Sequence, residues 1–122
     1  MFNLQQVIYI EIKHNHIVLS NIQHNLQTEV TGNFSNGRLA IAHFKDSENI
    51  LKDALKKVLK KGLLQSLTLV MHQQVLNDGG LSEVEERILL ELGYGLGARK
   101  VYIWQGDVLN AEQFDQQVYV TA

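Results

Sequence analysis

Val7-Ile8-Tyr9-Ile10-Glu11-Ile12 is the stretch on which the fold turns: five of its six positions are apolar, and most are β-branched or aromatic. A short continuous apolar run of this kind suits a central strand covered on both faces. Working outward, Lys13, His14 and Asn15 predict a tight turn into a second strand at Ile17-Val18-Leu19. A weaker third strand is expected between about Leu26 and Gly32, with turns at Gly32-Asn33 and Asn36-Gly37. The chain has 122 residues, the usual size of one domain, and two separate cores would each be marginal. With 45% hydrophobic and 20% charged residues and a formal charge of −2, disorder is excluded and no affinity for nucleic acid is expected. The absence of cysteine excludes disulfides, thiolate metal sites and a cysteine nucleophile. No apolar run approaches the ~20 residues of a membrane span. The opening residues have neither a basic region nor a long apolar region, so the protein is expected to be soluble and cytoplasmic.

Past residue 45 the apolar period changes. From Asp46 or Ser47, either a good N-cap, apolar residues recur at Ile50, Leu51, Ala54, Leu55, Val58 and Leu59. This predicts a helix over 46–61, ended by a lysine-rich turn and Gly62. Leu67 to Met71 reads as a buried strand. After Gly79-Gly80, Ser82 and Glu85 form a capping-box pattern opening a second helix. Val84, Ile88, Leu89 and Leu92 are expected on its core face, with its end at Gly93 or Gly95. Val101 to Trp104 is a fifth strand, and from Asn110 one helical turn and a fraying tail are expected. The order β-β-β-α-β-α-β implies right-handed crossovers and parallel pairing of the first, fourth and fifth strands. The expected fold class is thus α/β, a five-stranded mixed sheet of ribonuclease-H-like (actin-like subdomain) layout with helices packed on it. Residues 1–122 form one such unit, with its core at about 6–105 and a C-terminal extension over 106–122.

Several constellations invite chemistry. Gly93, Gly95 and Gly97 suggest a phosphate loop, but they close a helix and precede a strand, so carbonyls and the negative dipole end would face the anion. Helix termination and close helix–sheet packing explain them better. His14 and His16 stand two apart and would share a strand face, yet a metal site needs further ligands, and His24, His43 and His72 lack ligand spacing. Lys52, Lys56 and Lys60 form one row on the first helix, with Lys57 and Lys61 beside it. No aromatic residues interleave there as base-stacking platforms would require. Glu83, Glu85, Glu86 and Glu91 make the second helix acidic, which its dipole favours. Glu11 on the central strand raises a nuclease reading, but metal-assisted phosphodiester cleavage wants several converging carboxylates. The expected neighbouring strand, Val70 to Gln74, supplies none.

The segment from Gly80 to Trp104 resembles the rod-shape-determining bacterial actin family, MreB. That family carries Thr-x-Val-Glu-Arg-Arg at this helix start and Gly-Ala-Gly-Ala-Arg-x-Val before the next strand. Asn36-Gly37 through Ala42-His43-Phe44 also resembles the family's Asp-Gly-x-Ile-Ala-x-Phe. The departures bear on function. Where the family ends its first strand in a phosphate-cradling Asp-x-Gly-Thr, this chain has Glu11-Ile12-Lys13-His14. The second actin-like half is missing, and the small inserted subdomain shrinks to a short loop around residues 32–38. Glu85 matches the family's water-positioning glutamate, but without a nucleotide it is better explained as the capping partner of Ser82. The resemblance implies an isolated actin-like subdomain that has lost ATP binding.

The resulting expectation is a non-enzymatic protein-interaction module, linked to cell-shape or filament machinery, with no cofactor and no metal. It would use its sheet edges and the charged residues Lys52, Lys56, Lys60, Glu83 and Glu86 for a protein partner or for self-association. No nucleic acid is expected, and membrane contact, which would draw on Phe2 and Leu4, is not favoured. The competing expectation is a divergent metal- or ligand-binding enzyme using His14, His16 and Glu11.

Overall fold

A computed structural model describes residues 5–60 and 66–121, so Phe2, Leu4, Lys61 and Gly62 lie outside the described residues. Strands β1 (Gln5–Lys13), β2 (His16–Asn21) and β3 (Leu26–Thr31) come first, followed by helix α1 (Phe44–Val58) and strand β4 (Ser66–Gln73). Helix α2 (Glu83–Gly95), strand β5 (Lys100–Ile103), helix α3 (Ala111–Asp115) and a 3-10 turn over Val118–Thr121 complete the order. The strands form one mixed sheet in the order β3-β2-β1-β4-β5. β1 lies in its middle, antiparallel to β2 and parallel to β4, and β4 pairs parallel with β5. The two helical pieces after β5 extend the seven-element order read from the sequence.

The run from Val7 to Ile12 is buried on both sides because its alternate residues meet different layers. Ile8, Ile10 and Ile12 join Ile17, Leu19, Leu69 and Met71 beneath Leu51, Leu55 and Val58 of α1 and Leu89 and Leu92 of α2. Both long helices therefore cover the same face. The other face, Val7, Tyr9 and Val70, is covered by Leu109, Phe114 and Tyr119. The expected fraying tail is thus corrected: residues past 104 form the second layer of the fold. Asn110 caps α3 in a reciprocal capping box with Gln113, and Tyr119 is only 2% exposed. Phe114 packs between Tyr9 and Tyr119, with ring centroids 5.1 and 5.4 Å away. Burial of each such ring contributes roughly 1.5–3 kcal/mol.

Helix boundaries depart from expectation for visible reasons. α1 begins at Phe44 with His43 in the cap position and no side-chain cap. Asp46 and Ser47 are therefore inside the helix, and the Ser47 hydroxyl donates back to the His43 carbonyl (2.6 Å). Its last turn stops at Val58 rather than running to 61. Strand side chains take up the chain there: Asn21 Nδ2 donates to the Val58 carbonyl (2.9 Å), and Gln6 Oε1 accepts from Lys60 N (2.8 Å). Lys60 consequently lies beyond the helix, out of the row expected with Lys52 and Lys56.

α2 has the Ser82–Glu85 capping box that the sequence suggests. Its core stripe is Leu89, Leu92, Gly93 and, just past its end, Leu96, the i, i+3, i+4, i+7 row. Val84 is off that stripe and 62% exposed, and Ile88 is half-buried. The glycines set this rotation. A Cβ on Gly93 would stand 2.6 Å from Val101 Cγ2, so only glycine lets α2 approach β5 this closely. Gly97 turns the chain after the helix with φ +99°.

These burials predict unequal costs. Leu55→Ala should lower the unfolding free energy by about 2–5 kcal/mol. Ile88→Ala should cost less than half as much, because its side chain already meets solvent, and urea denaturation of the two variants checks the ranking.

Candidate functional site at the carboxyl ends of the parallel strands

In open α/β sheets, ligands bind outside the carboxyl ends of the parallel strands. Here that end carries the β1–β2 turn, the 74–82 loop and the 104–110 segment. The β1–β2 turn is short: Lys13 pairs with His16, so His14 and Asn15 alone make the connection. Asn15 adopts a left-handed φ of 51°, which asparagine tolerates better than most residues. Its Oδ1 accepts from Phe34 N (3.1 Å), Ser35 N (2.9 Å) and the Ser35 hydroxyl (2.9 Å). The turn is thereby stapled to the 32–35 loop.

Beneath the turn lies a buried polar chain that the sequence reading did not assemble. His72 Nε2 is 2.9 Å from the Gly106 carbonyl, which can only accept, so this nitrogen carries the proton. Nδ1 of the neutral ring is then an acceptor, and the Tyr9 hydroxyl donates to it across 2.6 Å. The same Tyr9 oxygen accepts from Leu109 N (3.2 Å). Burial lowers the pKa of His72, against the opposing influence of the Gly106 carbonyl, Glu11 and Asp107. Burial likewise pushes Tyr9 up to about 12, so it remains a donor at ordinary pH. Gln74 Nε2 bridges Glu11 Oε2 (3.0 Å) and His72 Nδ1 (3.2 Å). His72 is 2% exposed with both ring nitrogens engaged, which suits a tie between sheet and C-terminal layer better than proton transfer to an outside molecule.

The residues singled out from sequence separate. Glu11 sits opposite His72 in the register and is held by Gln74. The His14 ring approaches the Ser35 hydroxyl (3.4 Å), and His16 Nε2 faces Glu29 Oε2 (3.2 Å) on β3. Among the described residues, no three His, Asp or Glu side chains gather as a metal site would require. Glu85 spends both oxygens locally. Oε1 accepts from Ser82 N and Oγ, and Oε2 accepts from Gln73 Nε2 (3.1 Å). Burial pushes this carboxyl up, but the bonds from Ser82 and Gln73 outweigh it and hold its pKa below the usual carboxylate value. On α1, Lys52 and Lys45 flank Glu48 at 3.7 and 3.5 Å, and Lys56 stands 4.0 Å from Asp53. Glu83 and Glu86 occupy the first turn of α2. A polar hollow of about 290 Å³ opens beside Tyr9 and Glu11, toward Ser20 and Gln27.

No protein-family model matches the chain. Over 95 residues it is 34% identical to the uncharacterized protein YjaA of Escherichia coli (strain K12), covering 73% of this chain and 75% of that protein. The chain belongs to the YjaA family. Its fold matches that of ethanolamine utilization protein EutJ from Carboxydothermus hydrogenoformans with a TM-score of 0.56 at 10% identity. That match covers 79% of this chain and 35% of EutJ, so the chain spans about a third of EutJ's length. The shared architecture places this YjaA-family chain in the actin-like fold.

The buried chain at the strand ends of this family member predicts two outcomes. Tyr9→Phe leaves Leu109 N without its acceptor and His72 without its nearest donor, and should cost about 1–3 kcal/mol in chemical denaturation. The sign of the pH effect follows from the lowered pKa of His72. Between its folded-state value and the ordinary 6.5, the unfolded chain binds the proton and the folded chain does not. The stabilisation is therefore whole above 6.5 and is lost as the pH falls through the folded value. His72 contributes at most about 1.4 kcal/mol per pH unit to this slope. His72→Gln should flatten it, which denaturation at a series of pH values measures.

Proposed function

We propose that this protein is a non-enzymatic, cytoplasmic interaction module, an MreB-like subdomain without ATP binding that works with cell-shape or filament machinery. The observation that carries the reading is the β1–β2 turn. Where a nucleotide-binding relative of this fold would need an open, glycine-containing loop, two residues close the hairpin, and the Asn15 side chain is spent on the 32–35 loop. Glu85 supports the same reading, since its oxygens already serve Ser82 and Gln73. What remains for function is surface: two sheet edges, a lysine-bearing α1 and an acidic α2. Edges offer unpaired backbone groups, and charged rows steer and select a partner. Among the described residues, no helix is long and apolar enough to cross a membrane.

Isothermal calorimetry with ATP and magnesium tests the reading, with no saturable heat expected. Micromolar binding overturns it. Co-sedimentation with polymerised rod-shape-determining bacterial actin then tests the filament link, with the protein expected in the pellet only when filaments are present.

A further inference from the structure

The two edges of the sheet, β3 and β5, run in the same direction: β3 is twice antiparallel to β1, and β5 is twice parallel to it. β5 of one copy can therefore pair in parallel with β3 of an identically oriented copy, a contact that repeats by translation and does not close. The outer side of β5 is open. Its residues Lys100–Ile103 floor a groove of about 380 Å³ between Glu86 and Leu90 of α2 and the exposed Val120. At the other edge, Leu26 of β3 borders a cleft shared with Lys56, Lys57, Lys60 and a single acid, Asp53.

The charges at these edges are complementary in both layers. On the helical side, Lys56, Lys57 and Lys60 line the cleft at the β3 edge, whereas Glu86 lines the groove at β5 and Glu83 precedes it in the first turn of α2, with Arg87 the one cation of that helix. On the opposite side the signs reverse. Register places Glu29 of β3 and Lys100 of β5 on the face of Tyr9 and Val7, and both are exposed. A pairing of two β3 edges would bring lysines against lysines and Glu29 against Glu29. Pairing β3 with β5 sets opposite signs against each other on both sides.

We propose that the protein associates head to tail with further copies of itself, β3 of one copy pairing in parallel with β5 of the next. This rests on the reading of the protein as an interaction module and names its occupant, a second copy of this chain. Parallel pairing extends the sheet from five strands to ten and continues at each free end. The lysines of α1 then meet the acidic first turn of the neighbour's α2, while Glu29 meets Lys100.

Sedimentation velocity on the full chain over a wide concentration range is the test. At low salt the expected result is a growing series of dimers, trimers and longer species. In about 1 M salt, where screening shortens to roughly 3 Å, that series should retreat toward monomer. The double variant Lys56→Glu/Lys57→Glu, and separately Glu83→Lys/Glu86→Lys, should each associate about tenfold or more weakly. An equimolar mixture of the two variants should regain association, since each acidic edge then finds a basic one. A protein that stays monomeric at every concentration overturns the proposal, as does a series that stops at the dimer. Variants that associate like the parent chain, or a mixture that fails to recover, also overturn it. ATP binding in calorimetry, by contrast, strikes at the module reading and leaves this measurement unaffected.

Discussion

A strand in the middle of a sheet has two faces to keep dry, and everything in this molecule follows from how β1 solves that problem. Its even-numbered isoleucines face the helices, and Val7 and Tyr9 face the other way. α1 and α2 lie on the first face only, so the second would be open water without the chain beyond β5. Leu109, Phe114 and Tyr119 supply that cover, and the Tyr9–His72 pair fastens it at Leu109 and Gly106. A buried hydroxyl and a buried imidazole are tolerable here because each donor and acceptor among them is matched. The polar chain thus specifies where the C-terminal segment docks, while the aromatic rings provide the burial.

The same economy governs the strand ends. Asn15, Glu11 and Glu85 are polar residues at the place where open α/β sheets receive ligands, yet each is committed to the molecule itself. The likeness to EutJ over about a third of that protein places the architecture in the actin-like fold. Among the described residues, the sheet ends in β3 on one side and β5 on the other, and α1 and α2 carry the charged rows beside those edges.

Much of this was legible in the residues. The apolar run at 7–12, the capping box at Ser82–Glu85 and the breaks at Gly79-Gly80 are local signals, and local physics made each what it was read to be. The start of α1 was not legible, because Asp46 and Ser47 are better caps than His43. Tertiary contact prevailed: the carbonyl of Phe34 takes His43 N and Ala42 N, and so brings the chain into the helix early. Val84 was assigned to the core face of α2 from its apolar character, but Gly93 against Val101 fixes the rotation and turns Val84 outward. His72 looked like one scattered histidine of five, since nothing in its neighbours shows that register will set it opposite Glu11 and within reach of the Tyr9 hydroxyl on the same face.

By itself the amino-acid order determined the kinds of the first seven elements, their sequence along the chain and the central place of Val7 to Ile12, because periodicity, caps and glycine breaks act over a few residues. The three-dimensional structure alone decided which helices share a face, that the C-terminal segment is a layer rather than a tail, and that Tyr9, His72, Gly106 and Leu109 form one polar chain. Those outcomes depend on register and on contacts between residues up to a hundred positions apart, which no short stretch of sequence carries.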